Sequence, residues 1–380
     1  MRWVHRSTLK VFIAATSLHA TYGGPAISVL RLAEAVAATG LEIGLWTADG
    51  PITESKRRSH SPAIRILSGD LTQAFRSFGK PDVVHDNGIW RFHNHQLAKV
   101  SKTFGIPRVV STRGMLEPWA LAHKRSKKRL AWWLYQRSDL QRAQCHHVSS
   151  EPEQRNVKRL ELGVPVRMIS NGIDVPETVP ARPKRGCGTS FESNKKTALF
   201  LGRIHPVKGL RILIEAWARV RPSGWQLQIA GPDEAGHQAE LEQTVSARSL
   251  SDVVTFVGPL VGEAKSEKLF DADLFVLPTY SESFGMAIGE SLAHGLPVLT
   301  TTGAPWPTLA ERGYGWQVDT TVEALVEGLR RSTALDRETL RRMGSRGRDF
   351  IAQEFGWDRI ASEFARLYKD LTQASAVKES

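Results

Sequence analysis

The stretch 275–302 constrains the fold more strongly than any other part of the chain. It opens within a short apolar run at 273–277, which is typical of a strand buried in a parallel sheet. A polar turn follows, then a short helix at 284–294 and a second apolar run at 297–301. Because parallel strands need a crossover connection of this kind, the stretch predicts an α/β fold.

The same alternation of apolar runs and amphipathic stretches extends over most of the chain. The clearest predicted strands lie at 11–16, 43–47, 82–85, 108–111, 146–149, 198–202, 226–230, 253–257, 274–277 and 298–301. The clearest predicted helices of the first half lie at 25–38, 93–104, 118–136 and 151–162. This alternation predicts parallel sheets with right-handed crossovers.

A polar segment, 175–196, divides the alternation into two series. It contains three prolines, two glycines and few apolar residues, which is the composition of an interdomain linker. The sequence therefore predicts a first parallel-sheet domain at 1–174 and a second at 197–354. An amphipathic helix at 355–372 closes the chain.

The composition is that of an ordinary globular protein, with 41% hydrophobic and 24% charged residues. No apolar run reaches the roughly 18 residues that span a bilayer. Lys10 interrupts the apolar run at 9–17, so we interpret this run as the first strand and not as a signal peptide. The two cysteines, Cys145 and Cys187, are too few for a disulfide framework and indicate a reducing cytoplasm.

Positive charge is concentrated in the first half of the chain. Residues 1–184 hold 28 of the 51 Lys and Arg but only 14 of the 39 Asp and Glu, so the net charge of +12 arises there. The densest run, 123–137, also contains Trp132, Trp133 and Tyr135. This combination predicts contact with an anionic membrane surface. The alternative is a solvated helix whose Trp residues face the core; no motif indicates nucleic acid as a partner.

Two carboxylates, Glu282 and Glu290, lie where a parallel α/β sheet binds ligands, after the carboxyl end of a strand. Carboxylates accept hydrogen bonds from vicinal hydroxyls, as in the recognition of ribose and other sugars. Gly285 permits close backbone approach, and the amides of 283–286 begin a helix that favours an anion. The pattern favours a nucleotide-sugar site. The alternative is that Glu282 caps the helix and Glu290 is solvated.

Four ordered motifs resemble the retaining glycosyltransferases of family 4. These are Gly23–Gly24 with the helix behind it, ISNGID at 169–174, the Gly-Arg…Lys-Gly segment at 200–216, and ESFGMAIGE with its E-x7-E spacing. The resemblance covers roughly 9–372. It implies the GT-B fold, in which two Rossmann-like parallel-sheet domains face a central cleft. It also implies that the first domain binds the acceptor, the second binds the donor, and the C-terminal helix returns to the first domain.

The resemblance also implies roles for single residues. Arg203 and Lys208 would bind the donor diphosphate, Glu290 the ribose, and Glu282 the transferred sugar; Arg203, Lys208 and Glu282 would form the catalytic set. The remaining donor-binding positions are Gly23, Gly24, Ser283, Phe284 and Gly285. The family reacts by front-face attack, and we expect neither a metal nor another cofactor.

The chain departs from the family on the acceptor side. Many members carry a His after the strand that corresponds to 108–111, whereas this chain has Arg113 in that vicinity. His85, at the end of another predicted strand, is the second candidate for the acceptor site. The alternative for His85 is a structural residue at a strand end.

We therefore predict a retaining hexosyltransferase that uses a UDP- or GDP-hexose. Its acceptor would be a glycan or a polyprenyl-linked glycan in the biosynthesis of bacterial surface polysaccharide. It would act in the cytoplasm, with peripheral attachment to the inner face of the plasma membrane through 123–137. The alternatives are a nucleotide-sugar epimerase of related shape and a non-catalytic module that binds sugar nucleotides.

Overall fold

The computed structural model describes residues 8–18, 24–50, 63–178, 195–234 and 236–379. The chain divides into two compact units. The first comprises Met1–Gly172 together with Trp357–Ser380, and the second comprises Ile173–Gly356. Gly23, Cys187 and most of the linker predicted at 175–196 lie outside the described residues.

The first unit is built on a seven-stranded sheet whose neighbouring strands are all parallel. Its strands are β1 Lys10–Ala15, β2 Glu42–Thr47, β3 Ile64–Leu67, β4 Val83–Asn87, β5 Arg108–Ser111, β6 Cys145–Val148 and β7 Val166–Met168. Their order is β3-β2-β1-β4-β5-β6-β7. The order reverses between β1 and β4, and ligands bind open α/β sheets at such a switch point, outside the carboxyl ends of the strands.

Helices cover both faces of this sheet. They are α1 Gly24–Ala38, α2 Leu71–Phe78, α3 Phe92–Phe104, α4 Pro118–Ala122, α5 Arg125–Ala131, α6 Arg137–Gln141 and α7 Glu151–Lys158. On β1, Val11 and Ile13 belong to one apolar cluster, and Phe12 and Ala14 belong to another. Because successive side chains point to opposite faces, burial on both faces explains why the strand is a continuous apolar run.

The single helix predicted at 118–136 is wrong. Lys124 has φ 53, in the left-handed region, and separates α4 from α5. A π-helical segment, Trp132–Gln136, then joins α5 to α6. Within it the side chain of Gln136 is buried, and its Oε1 accepts a hydrogen bond from the backbone N–H of Trp90 at 2.8 Å. The wider turn thus brings a polar side chain inward to satisfy a backbone donor.

The second unit contains a six-stranded parallel sheet in the order β10-β9-β8-β11-β12-β13. Its strands are β8 Lys196–Leu201, β9 Trp225–Ala230, β10 Val254–Gly258, β11 Leu274–Leu277, β12 Val298–Thr301 and β13 Gly315–Val318. Its helices are α8 Leu210–Val220, α9 His237–Ala247, α10 Gly262–Asp271, α11 Met286–Ala293, α12 Val322–Thr333 and α13 Arg337–Glu354. The order reverses between β8 and β11, which places the switch point beside the two segments that carry the predicted donor residues.

The last helix, α14 Trp357–Glu379, belongs to the first unit. Its residues Ile360, Phe364 and Tyr368 are buried in the apolar cluster that also contains Val11 and Ile13. The predicted fold class, α/β with two parallel-sheet domains, is confirmed. Within the described ranges, no helix is both long and apolar enough to cross a membrane.

Candidate active site

Lys208 and Glu282 form an ion pair at the carboxyl end of the second sheet. Lys208 follows β8, and Glu282 follows the neighbouring strand β11. Both side chains are largely withdrawn from solvent, with 14% and 13% of their surface exposed. An ammonium group has three N–H donors, and among the described residues the structure gives that of Lys208 one acceptor, Glu282.

Backbone contacts between the two loops hold this pair in place. The carbonyl of Val207 accepts hydrogen bonds from the backbone N–H of Tyr280 at 2.8 Å and from the hydroxyl of Thr279 at 3.1 Å. Gly209, with φ 70, lies so near the same loop that a Cβ there would be 1.9 Å from the carbonyl oxygen of Pro278. Only glycine fits this close approach, which explains the Lys-Gly pair in the sequence.

The loop that carries Glu282 is also held by the segment that follows β12. The backbone N–H of Glu282 donates to the carbonyl of Gly303 at 2.9 Å. The indole N–H of Trp306 donates to the carbonyl of Phe284 at 2.6 Å, and the two rings lie 5.4 Å apart. The side chain of Phe284 is buried there, so this predicted donor residue offers a ligand only its backbone.

The start of α11 presents backbone donors. Gly285 precedes the helix with φ 83, in the region that favours glycine. Ser283 lies partly buried just before it. Among the residues that the structure describes, the N–H groups of Gly285, Met286 and Ala287 have no hydrogen-bond acceptor. Such groups at a helix N-terminus favour a bound anion.

Arg203 is paired with a carboxylate of the protein. Its guanidinium forms an ion pair with Glu234, which follows β9, and about half of each side chain is exposed. Between Arg203 and Lys208 lies His205, whose ring nitrogen accepts a hydrogen bond from the backbone N–H of Val207 at 3.1 Å. Burial and the nearby charges of Arg203 and Lys208 lower the pKa of His205, although Glu234 opposes them. The pKa of His205 therefore responds to the charges of Arg203 and Lys208, the two predicted diphosphate ligands.

Glu290, the predicted ribose ligand, forms an ion pair with Lys265 of α10 at 2.6 Å. About a fifth of each side chain is exposed, so both groups remain open to a ligand. Lys265 fixes one carboxylate oxygen of Glu290. The other, Oε1, has no hydrogen bond from any described residue.

In the first unit, His85 is fully buried inside a chain of hydrogen bonds. Its ring nitrogens contact the hydroxyl of Tyr368 at 2.6 Å and the hydroxyl of Ser111 at 2.7 Å. Ser111 also contacts His147 at 2.6 Å, and His147 contacts the carbonyl of Ile169 at 2.8 Å. Burial lowers the pKa of His85 well below its usual value. Both ring nitrogens are taken by protein groups, which favours the structural alternative for His85.

Arg113 lies beyond the end of β5 and is partly buried. Its guanidinium donates to the amide oxygen of Asn87 from Nε at 3.2 Å and from Nη2 at 2.6 Å. It also donates to the amide oxygen of Asn171 at 2.8 Å and to the hydroxyl of Ser28 at 3.4 Å. Gly24, which was predicted to bind the donor, is the first residue of α1. Arg113 and Gly24 both belong to the first unit, and donor binding by Gly24 stays a prediction.

Three residues of the site were missed by sequence reasoning: His205, Glu234 and Lys265. His205 had a signal, since it stands between Arg203 and Lys208 in the same segment. Glu234 and Lys265 had none, because each becomes part of the site only through the pairing of separate strands and helices.

Among the described residues, no group of three or more His, Cys, Asp or Glu is placed to hold a metal ion. Independence from metal stays a prediction.

Two protein-family models match the sequence of the chain. Residues 23–172 match "Glycosyl transferase 4-like domain", and residues 188–350 match "Glycosyl transferases group 1". A D-inositol 3-phosphate glycosyltransferase of Arthrobacter sp. is 32% identical over 197 residues, which are 50% of this chain and 47% of that protein. The chain thus spans about half the length of the first curated relatives it matches.

Similarity over a longer range is found with two further proteins. The GDP-mannose:cellobiosyl-diphosphopolyprenol alpha-mannosyltransferase of Xanthomonas oryzae is 28% identical over 330 residues, which are 81% of this chain and 82% of that protein. The solved structure of a sucrose-phosphate synthase from Thermosynechococcus elongatus superposes with a TM-score of 0.75 at 21% identity, covering 96% of this chain and 100% of that one. The structural likeness supports the fold.

Proposed function

The chain belongs to the glycosyltransferases that join a glycosyl transferase 4-like domain to a group 1 domain, and from this premise we propose that it is a retaining hexosyltransferase. Its donor is a UDP- or GDP-hexose. Its acceptor is a glycan or a polyprenyl-linked glycan in the biosynthesis of bacterial surface polysaccharide. The Xanthomonas relative, named for GDP-mannose and a diphosphopolyprenol acceptor, supports both substrate classes.

One observation carries the proposal: the Lys208–Glu282 ion pair beside the start of α11. The ammonium and the helix amides suit the donor diphosphate, and the carboxylate suits the hydroxyls of the transferred sugar. Arg203 supplies a second cation for the diphosphate. Glu290, held by Lys265, is suited to the ribose hydroxyls. These assignments use every charged donor residue that the sequence predicts in the second unit.

The reaction that fits this arrangement is a front-face substitution. The bond from the anomeric carbon to the phosphate oxygen breaks, and the acceptor hydroxyl attacks the same face of the sugar. The hydroxyl proton passes to the departing phosphate oxygen, so the configuration at the anomeric carbon is retained. Lys208 and Arg203 stabilise the negative charge that grows on the leaving phosphate. Glu282 orients the sugar and forms no covalent intermediate.

We also propose that the first unit docks on an anionic membrane through 124–134. Lys124, Arg125, Lys127 and Arg129 are exposed, and so are the large apolar side chains of Leu130, Trp133 and Leu134, at 61%, 83% and 60%. Basic and apolar groups exposed in one short segment suit the headgroup region of a bilayer.

Lys128 and Trp132, which also lie in the predicted membrane segment, point toward the protein and not toward solvent. The ammonium of Lys128 donates to the carbonyl of Ala120 and lies 5.8 Å from the ring of Trp90. Trp132 lies 6.1 Å from the same ring. The proposed contact therefore rests on the exposed residues of the segment, and Lys128 and Trp132 act as its internal supports.

The test is to incubate the purified full chain with a panel of UDP- and GDP-hexoses and a polyprenyl-linked acceptor. We expect transfer from one donor, with the product keeping the donor's anomeric configuration in NMR spectra. A product of inverted configuration contradicts the retaining mechanism. Recovery of an epimerised donor indicates an epimerase, and binding of the donor without any product indicates a non-catalytic module.

A further inference from the structure

Phe92 is a large apolar side chain at the surface of the first unit. It is the first residue of α3 and is 72% exposed. Arg91, directly before it, is exposed as well. One exposed apolar residue is ordinary in a soluble protein, so its neighbours decide whether it has a role.

The start of α3 lies beside the π-helical segment Trp132–Gln136. The ring of Phe92 is 6.5 Å from the ring of His95, which is 5.1 Å from the ring of Tyr135. Two ring contacts therefore join Phe92 to the segment that carries Trp133, the side chain that is 83% exposed. Phe92 thus lies next to the segment for which membrane docking is proposed above.

The loop before α3 is fastened to the same π-helical segment. The backbone N–H of Trp90 donates to Oε1 of Gln136 at 2.8 Å, and its carbonyl accepts from the hydroxyl of Tyr135 at 3.3 Å. Trp90 has φ 77, a value that residues other than glycine seldom adopt, and such strain persists only where the surroundings impose it. The two hydrogen bonds therefore fix where Arg91 and Phe92 lie relative to that segment.

The two stretches of chain that meet here carry cations and no anions. Residues 88–104 contain three Lys and Arg, residues 118–138 contain six, and neither stretch has an Asp or Glu. All three cations of the first stretch are exposed. One of them, Lys99, follows Phe92 by about two helical turns, so both lie on the same face of α3.

The carboxylates that flank the second stretch are drawn toward the protein. Asp139 is buried, and its carboxylate lies 2.7 Å from Nδ1 of His95. Glu117 is partly buried and accepts a hydrogen bond from the side chain of Asn156, and burial raises the pKa of its carboxyl to about 7. The exposed charge of this surface is therefore positive. Together with exposed aromatic rings, such charge suits the headgroup region of an anionic bilayer.

We propose that Arg91 and Phe92 form a second contact with an anionic bilayer, beside the contact through 124–134. The inference rests on the proposed docking of that segment and extends it to a separate part of the chain. The guanidinium of Arg91 pairs with lipid phosphates, and the ring of Phe92 enters the headgroup region.

Two contacts fix an orientation, whereas one contact leaves the unit free to tilt. The start of α3 follows the carboxyl end of β4, at the switch point of the first sheet. The bilayer then faces the edge of the sheet at which an α/β domain binds ligands. A polyprenyl-linked acceptor, which is held in the bilayer by its chain, would reach the unit from that edge.

The competing account is that Phe92 is one of the scattered apolar side chains that any protein surface carries. Phe104 separates the two accounts, because it ends the same helix and is 58% exposed. The two positions are about 18 Å apart along α3 and about 120° apart around its axis. Phe104→Ser therefore removes the same apolar group from a place outside the proposed contact.

The experiment is flotation of the full chain on vesicles of equal parts phosphatidylglycerol and phosphatidylcholine, and on vesicles of phosphatidylcholine alone. The apolar pair of variants is Phe92→Ser and Phe104→Ser. The charge pair is Arg91→Gln and Lys102→Gln, since Lys102 is exposed near the far end of α3. Phe92→Trp enlarges the ring at the proposed contact. Circular dichroism and thermal melting report whether each variant is folded.

On the anionic vesicles, Phe92→Ser and Arg91→Gln should each raise the lipid concentration for half-maximal binding about fivefold, the size expected for one group at an anionic surface. Phe104→Ser and Lys102→Gln should stay within about twofold of wild type, because they lie more than one Debye length of about 10 Å from the contact at 0.1 M salt. Phe92→Trp should bind at least as tightly as wild type. If Phe92→Ser does not fold, Arg91→Gln and Phe92→Trp decide.

The proposal is overturned if Phe92→Ser and Arg91→Gln float as wild type does, or if the two control variants lose as much. Wild-type flotation of Phe92→Ser, combined with loss in a variant with Lys124, Arg125 and Lys127 changed to Gln, retains the first contact and removes this one. Absence of wild-type flotation removes both contacts, and binding to single-stranded DNA in its place assigns the basic surface to nucleic acid. Sugar transfer is measured separately, so its failure leaves the flotation result intact.

Discussion

The ammonium of Lys208 is ion-paired with the carboxylate of Glu282, although 74 residues separate them in the chain. The pair joins the loops that follow two neighbouring strands, β8 and β11. One group is suited to phosphate and the other to sugar hydroxyls. The reacting bond of a nucleotide sugar lies between a phosphate and a sugar, which is why this pair is the centre of the proposed site.

Replacing Lys208 with Ala should reduce sugar transfer by about 10²- to 10³-fold, the loss typical of one group that stabilises transition-state charge. Circular dichroism should be unchanged, because the Lys208 side chain lies at the end of the sheet and not in the apolar core. The matched control is Arg211→Ala, which removes an exposed ion pair with Glu240 in the same unit. Wild-type turnover in Lys208→Ala removes this residue from the site.

Replacing Lys265 with Met should raise KM for the donor about tenfold, while kcat changes little. Lys265 holds Glu290 and is not expected to touch the reacting atoms, so its loss affects binding in the ground and transition states alike. Glu290→Ala should raise KM further and reduce transfer. In a double-mutant cycle, the Lys265 change should have little added effect in the Glu290→Ala background. Additive effects would show that Lys265 does not act through Glu290.

Transfer should persist in excess EDTA. The expected reason is that Arg203, Lys208 and the start of α11 meet the charge of the diphosphate. Activity is measured with and without EDTA, and again after Mg²⁺ or Mn²⁺ is added back. Activity that is lost in EDTA and restored by either ion contradicts the prediction.

Binding to phosphatidylglycerol vesicles should exceed binding to neutral vesicles in flotation assays and should fall with salt. The Debye length shrinks from about 10 Å at 0.1 M salt to about 3 Å at 1 M, which screens the basic segment. Changing the four exposed cations, Lys124, Arg125, Lys127 and Arg129, to Gln should reduce flotation.

A narrower comparison removes the effect of total charge. One variant changes Lys124, Arg125 and Lys127 to Gln. The other changes Arg341, Arg342 and Arg346 of the second unit to Gln. All six side chains are exposed, and each variant loses three positive charges. Equal flotation of the two variants would show that 124–134 is not the membrane contact.

Acid should destabilise the first unit below about pH 6.5 through its buried histidines. Burial, with a contribution from Arg113, lowers the pKa of His147 to about 3, whereas an unfolded His titrates near 6.5. As pH falls between these values, the unfolded chain binds a proton that the folded chain does not. Each such His therefore removes about 1.4 kcal/mol of unfolding free energy per pH unit.

His147→Gln isolates this effect, because Gln can still accept from Ser111 and donate to Ile169. The measurement is the free energy of unfolding in urea against pH, for wild type and variant. The slope should be smaller in His147→Gln between pH 6.5 and 4. Asp86, whose pKa burial raises to about 6, acts in the opposite direction in both proteins and cancels in the comparison. Equal slopes would contradict the prediction.

The alternation of apolar and amphipathic stretches was sufficient to predict the fold class. Strands β11 and β12 were predicted with the bounds that the structure has, since each is short and fully buried. Strands β3, β7 and β13 were missed. They lie at sheet edges, and half-buried or exposed residues make up two of the four positions in β3 and in β13 and all three in β7. A strand that is buried on one side at most carries a weaker apolar signal.

The sequence by itself determined which residue types stand at the strand ends, because the pattern of each strand and the residues after it are local. The pairing of Lys208 with Glu282, of Glu290 with Lys265, and of His85 with Tyr368 was decided only by tertiary structure. These partners lie 74, 25 and 283 residues apart. Local periodicity carries no information about contacts at such separations. They form only when the strands pair and the helices pack, and packing then decides whether a charged side chain faces a ligand or another residue.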